Sequence, residues 1–311
     1  MKLGIAVVYL VSERDEGLLR LHFDQIEKYT QVPYTLYGAA NRLLPQFRLL
    51  LEANPRVRIC DGPTVDARGS EEHSFYLERL IKTAVDEGCT HIATFHVDSF
   101  PIRAGWAEEL AGLLSDGCPL AAAMIDERFD RKPNTACIFL RSDFYERYRP
   151  KLLLSEEERS TDAYTKYRRA YPHIPDSGVG LGFKLHTEGL TWHPLVRSNR
   201  ATKQSAFGGV FGELIFHLGG AAWFDLHYST PVTHWGLGGI GSAFVKAYYR
   251  FVQGAAGLIP SQLRPLFRPV KRMERAIRRR TANQIRREIY ERERKRLLDD
   301  PEAYLRDLQD Q

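Results

Sequence analysis

The first half of the chain alternates short apolar runs, rich in β-branched and aromatic residues, with amphipathic segments of helical period, and few folds accept that pattern. Parallel strands need a crossover between neighbours, so the alternation predicts an α/β sheet with helices packed against it. Residues 3–11 read as the first strand. Residues 16–29 read as a helix presenting Leu18, Leu19, His22, Phe23 and Ile26 on one face. Residues 34–39 and 57–60 read as the next two strands, the second closed by the turn sequence Asp61-Gly62-Pro63. A helix over 73–86 spaces Leu77, Leu80, Ile81 and Ala84 three or four apart and stops at Gly88. Residues 91–97 form a buried central strand, and 120–125 and 136–140 continue the sheet. A polar, charge-rich stretch over 155–169 separates this half from residues 171–235, which are richer in Gly, His and aromatics. No fixed-period repeat is present, which excludes solenoids and propellers.

Composition bounds the class. With 43% hydrophobic and 11% aromatic residues over 311 positions, the chain can bury a substantial core, so disordered and fibrous classes are excluded. The amino end has a short apolar run followed at once by acids and arginines, unlike an export signal. The longest candidate for a span, residues 243–259, is interrupted by Lys246, Arg250 and Gln253 and falls short of the roughly 20 apolar residues a bilayer crossing needs. Cys60, Cys89, Cys118 and Cys137 are widely spaced and form no CxxC pair, which indicates neither a zinc site nor a disulfide framework. A cytoplasmic chain, peripheral to the inner face of the plasma membrane at most, is therefore expected. The net charge of +5 is unevenly spread: residues 241–311 hold 17 Lys and Arg against 9 Asp and Glu, a net +8, which leaves −3 for the part before them.

In open α/β sheets ligands collect beyond the carboxyl ends of the strands. The segment HIATFHVDSFPIRAGW (91–106) delivers His96 and Asp98 to that edge before Pro101 turns the chain. A carboxylate placed there can hold Mg²⁺ or Mn²⁺, although an Asp also suits a turn or a helix cap. In FGELIFHLGGAAWF (211–224) His217 ends an apolar run ahead of Gly219-Gly220; imidazole suits Mn²⁺-like ions, and a histidine beside apolar residues is also a common packing residue. His227 and His234 are weaker rivals. In IPDSGVGLGFKLHTEGLTWHPL (174–195), Val179, Leu181, Phe183 and Leu185 alternate as in a strand, and Gly178, Gly180 and Gly182 disfavour a helix.

The segment HVDSFPIRAGW resembles the GT-A glycosyltransferases, in which a strand ends in a short acidic DxD motif followed by a Pro-containing turn and a Trp-containing helix start. The likeness is to bacterial family-2-like members with a degenerate motif and spans about residues 1–223. Only one Asp is present: either His96 replaces the first acid or Phe100 replaces the second. The resemblance implies a Rossmann-like, mixed, mainly parallel sheet flanked by helices, with a C-terminal helical extension. It also implies Mn²⁺ or Mg²⁺ held by Asp98 and His217, which neutralises the charge developing on a departing nucleotide diphosphate. The segment starting at Asp176 is similar to the D(T/S)G segment that opens a helix facing the acceptor, making Asp176 the general base of an inverting transfer. Donor contacts fall to Tyr9, Ser12, Glu13, Asn41, Asp61 and Arg68, with His96 and Asp98.

The expected organisation is a catalytic domain over 1–240, whose nucleotide-sugar half is 1–125 and whose acceptor half is 126–240, followed by a basic amphipathic tail over 241–311. Its partners are a nucleotide-diphosphate sugar, a glycan or lipid-linked acceptor, and a membrane surface met by the basic tail. Met273, Ile277, Ile285 and Ile289 form a narrow stripe that suits the catalytic domain, a partner helix or anionic lipid. Nucleic acid is not expected, since no recognised fold or stacking motif accompanies the arginines. Two alternatives stand beside a sugar transferase: a sugar-phosphate nucleotidyltransferase, disfavoured because residues 11–14 (VSER) contain no glycine-rich phosphate loop, and an inactive scaffold or membrane-peripheral binding protein.

Overall fold

The computed structural model describes residues 1–9, 16–41, 43–67, 69–127, 130–199, 207–219 and 287–310. The elements run β1 (Leu3–Val8), α1 (Glu16–Tyr29), β2 (Tyr34–Ala39), α2 (Pro45–Ala53), β3 (Val57–Ile59), α3 (Ser70–Asp86), β4 (His91–Phe95) and β5 (Ser99–Pro101). There follow α4 (Trp106–Gly112), β6 (Leu120–Met124), β7 (Asn134–Arg141), α5 (Ser142–Tyr148), α6 (Glu156–Arg159), α7 (Asp162–Ala170), α8 (Val179–Thr187), β8 (His193–Val196), β9 (Gly209–Phe211) and β10 (Ile215–His217). The C-terminal helices are α9 (residues 287–299) and α10 (Pro301–Gln309).

Seven strands form one sheet in the order β3-β2-β1-β4-β7-β6-β8. Neighbours are parallel except at β7, which runs antiparallel to both β4 and β6, so the sheet is mixed and mainly parallel, with helices on its faces. The central strands are buried on both sides. Leu3, Ile5 and Val7 of β1 join one apolar cluster, with α1 and α4, and Ala6 and Val8 join the other, with α3. This double burial is why β1 reads as a nearly unbroken apolar run.

β1 and β4 are shorter than their apolar runs. β1 stops at Val8 and β4 at Phe95, so His96 and Asp98 lie past the end of the strand. The charge-rich stretch over 155–169 folds into α6 and α7. Ser155 and Glu158 close a reciprocal capping box on α6, and the Thr161 side chain caps α7.

The strand-like alternation of 179–185 gives way to a helix, α8. Gly178 starts it with φ of 92°, a left-handed conformation that favours glycine. At Gly180 and Gly182 other parts of the chain press close: a Cβ on the first would overlap the Lys151 carbonyl, and on the second the Tyr167 hydroxyl. Close approach therefore outweighs the low helix propensity of glycine, and Leu181 and Leu185, four apart, enter the same cluster as α3.

A second, three-stranded antiparallel sheet has the order β5-β10-β9. α9 and α10 pack onto the side of the sheet that carries α1: Tyr290, Leu297, Tyr304, Leu305 and Leu308 are buried in the cluster that contains β1 and α1, and Ile289 packs against it. Lys28 of α1 pairs with Glu302 of α10, and Tyr304 meets Phe216 of β10 edge to face. The stripe residues Met273, Ile277 and Ile285, and the segment over 243–259, lie outside the described residues. No helix among the described residues is long and apolar enough to cross a membrane.

Candidate metal centre

Four residues, His96 to Ser99, make a tight turn between β4 and β5. Ser99 N–H donates to the His96 carbonyl, and His96 N–H donates to Ser99 Oγ at 2.7 Å, while that hydroxyl donates to the Ala136 carbonyl of β7. From α1, His22 Nδ1 lies 3.0 Å from the Ser99 carbonyl oxygen; an acceptor there means Nδ1 carries the proton. Burial holds His22 at a pKa of about 4, so its ring is neutral. The turn is thus pinned from a strand on one side and a helix on the other.

The β5–β10 pairing brings in the distant histidine. Its register sets His217 opposite Ser99, and the next residue, Leu218, donates its N–H to the Asp98 carbonyl at 2.9 Å. His217 Nε2 consequently lies 3.5 Å from Asp98 Oδ1, and its ring is 5.3 Å from that of His96, centroid to centroid. One ligand atom from each of His96, Asp98 and His217 lies within 4.8 Å of the others. Asp98 is only 2% exposed. Phe100 is buried against Phe216 with ring centroids 5.1 Å apart and adds no donor to the cluster.

The three donors fit a divalent ion. Bonds of about 2.0–2.2 Å place ligand atoms within roughly 4.4 Å of one another, so the cluster needs only a small contraction. Metal ligation needs a neutral imidazole, and burial, reinforced by the neighbouring His73 and His217 rings, holds His96 well below its ordinary pKa against the opposing pull of Asp98. His96 Nε2 is 3.0 Å from Thr135 Oγ1, which leaves Nδ1 as its metal-facing nitrogen. With Nε2–H donated to this hydroxyl, the Nδ1 lone pair is the one free for a cation.

Asp176 lies just ahead of α8 and is fastened to the first turn of α3. Its Oδ1 accepts from Ser70 Oγ and from the Ser177 N–H at 2.7 Å, and the Ser177 and Ser74 hydroxyls bond at 2.9 Å. Between this group and the cation cluster stands His73, edge-on to His96 with centroids 5.1 Å apart. Burial lowers the His73 pKa to about 4, opposed by the Asp176 charge.

The remaining expected donor residues are placed differently. Tyr9 is fully buried against His22 and Phe23 beneath the sheet edge, where burial raises its pKa. Asn41 exchanges hydrogen bonds with the Gly62 backbone, and Asp61 accepts from Ala40 N–H and pairs with Arg48 at 2.7 Å, so these two fasten the loops after β2 and β3 to each other. Ser12, Glu13, Arg68, Gly220, His227 and His234 lie outside the described residues. Sequence reasoning missed His73 and Thr135 as site residues, and took His22 only as a helix-face residue.

No family model matches the chain, and no curated protein matches it. Among solved structures it is similar to the galactosyltransferase LgtC in complex with donor and acceptor sugar analogues, at 13% identity over 85% of this chain and 99% of that one, with a TM-score of 0.42. It is similar to mouse xyloside xylosyltransferase 1 at 10% identity, over 63% of this chain and 85% of that one, with a TM-score of 0.38. A cytidylyltransferase from Leptospira borgpetersenii serovar Hardjo-bovis matches at 10% identity, over 64% of this chain and 77% of that one, with a TM-score of 0.39. Likenesses this distant identify neither a family nor a reaction.

Proposed function

We propose that the chain is a GT-A-type glycosyltransferase that moves a sugar from a nucleotide diphosphate to a hydroxyl of a glycan or lipid-linked acceptor. The observation that carries the reading is the meeting of His96 and Asp98, at the carboxyl end of β4, with His217, delivered by β10. A divalent cation held there supplies positive charge for the diphosphate as the sugar leaves. His96, Asp98 and His217 are its ligands, and Thr135 orients His96. Two imidazoles and one carboxylate suit Mn²⁺ better than Mg²⁺, which prefers an all-oxygen shell.

Asp176 is the proposed general base, taking the acceptor hydroxyl proton in an inverting transfer. Hydrogen bonds from Ser70 and Ser177 hold its side chain in place at the start of α8. The donor occupies the edge formed by β1 to β4, and the acceptor approaches over α8. A membrane surface, met by the basic tail over 241–311, is a further proposed partner.

Calorimetric titration with UDP and GDP, each with Mn²⁺ and with EDTA, tests the first step. Mn²⁺-dependent binding is expected, followed by Mn²⁺-dependent hydrolysis of the matching nucleotide sugar. Binding that ignores the cation, or no binding to either diphosphate, would end the proposal.

A further inference from the structure

His73 lies on the first turn of α3, beside the cation cluster but outside it: the ligand atoms that meet belong to His96, Asp98 and His217. The rings of His217, His96 and His73 follow one another at centroid spacings of 5.3 and 5.1 Å. This row leads from Asp98 toward Asp176, which is bonded to the same first turn of α3 through Ser70. His73 thus adjoins the cluster through His96 and also feels the Asp176 charge.

Buried polar atoms are nearly always paired, and the exceptions gather where a ligand or ion completes them. His73 Nε2 is such an exception: it is buried and has no hydrogen-bond partner among the described residues. The polar side chains around it are already engaged, His96 with Thr135, Ser70 with Asp176, and Ser74 with Ser177. The first turn of α3 also points backbone N–H groups past its own end, as every helix start does, which adds donors for an anion at the same place.

We propose that His73 is a ligand-binding residue of this site, its imidazole donating a hydrogen bond to a phosphate oxygen of a nucleoside diphosphate anchored at His96, Asp98 and His217. It rests on the transferase reading above and names a contact that reading does not contain. His73 touches the diphosphate, and the cation is left to the other three.

The test compares wild type with His73→Ala, His73→Phe and His73→Gln. UDP and GDP affinities are measured by calorimetry with saturating Mn²⁺, Mn²⁺ affinity alone by electron paramagnetic resonance of the free ion, and thermal unfolding in EDTA. The Ala and Phe variants are expected to bind the diphosphate about 10- to 100-fold more weakly, the loss of one charge-assisted hydrogen bond. Their Mn²⁺ affinity without nucleotide stays within about twofold of wild type, since no metal ligand is removed. Gln, which keeps an N–H donor, recovers part of the diphosphate affinity. The Phe variant keeps a ring and deletes the unpaired nitrogen, so ligand-free it unfolds at or above the wild-type temperature.

Equal diphosphate affinity in all four proteins overturns the proposal. Mn²⁺ affinity falling in step with diphosphate affinity overturns it too, by making His73 a support for His96. A lower unfolding temperature of the ligand-free Phe variant shows that Nε2 already has a partner, with the same result. Wild type that binds neither diphosphate removes the transferase reading itself, whereas wild-type binding that the Ala and Phe variants retain removes only the role of His73.

Discussion

Thr135 shows how a side chain that touches no ligand can govern this site. Thr135 is only 4% exposed and its hydroxyl lies 3.0 Å from His96 Nε2, where it holds the imidazole in place. Thr135→Val is expected to weaken Mn²⁺ binding about 10- to 100-fold, and Thr135→Ser to leave it nearly unchanged, as read by the resonance of free Mn²⁺. Asp98→Asn removes the one anionic donor of the cluster, so the rise in unfolding temperature on adding Mn²⁺ should vanish in that variant. Asp98 and His96 were legible because polar residues after an apolar run mark a strand end. Thr135 was not, because only the antiparallel β4–β7 register brings it to His96. His73 was equally hidden, since a histidine in a first helical turn resembles any surface residue until its neighbours are known. Asn41 and Asp61 look like ligand-binding tips in the sequence, and the fold occupies their polar atoms with each other's loops.

At the scale of elements, the site depends on β10, a strand of three residues. Its Phe216 packs on Phe100 below the cluster and on Tyr304 of α10 at 6.0 Å. Tyr304→Ala is expected to cost about 3–5 kcal/mol in urea unfolding, the usual range for emptying a buried aromatic position. Mn²⁺ affinity should fall in the same variant, because β10 loses the backing that sets His217. β1 to β4 were legible from their apolar runs, with ends drifting by up to three residues where apolar side chains continue past the last ladder bond, whereas β8, also parallel, was not. β5, β9 and β10 were not, since three residues are too few to show a period. Over α8 the alternation points to a strand and the likeness to a D(T/S)G segment points to a helix; the helix forms, because its glycines answer to Lys151 and Tyr167 rather than to helix propensity.

Across the whole molecule, two apolar clusters sandwich the main sheet, and a histidine is buried in the one below the site. His22 has a pKa of about 4 in the folded chain and an ordinary value of 6.5 when unfolded. Between those values the unfolded chain holds more protons, so stability rises with pH through that window and is fully present above about pH 6.5. Urea midpoints should be flat above pH 7 and fall on acidification from 6.5 toward 4, by about 1.4 kcal/mol per pH unit for each such histidine. His22→Gln keeps a donor for the Ser99 carbonyl and should lower that slope by about 1.4 kcal/mol per pH unit while His73 and His96 keep theirs; an unchanged slope would show that His22 contributes nothing to it.

The cross-pairing of β5 with β10 also sets an order of events during synthesis. A ribosome makes His96 and Asp98 long before His217, and the helices that back β10 emerge later still. A polypeptide released early would carry two of the three donors on a correctly formed strand edge and still lack an ion-binding pocket, so interrupted translation products should remain silent rather than become partly active competitors.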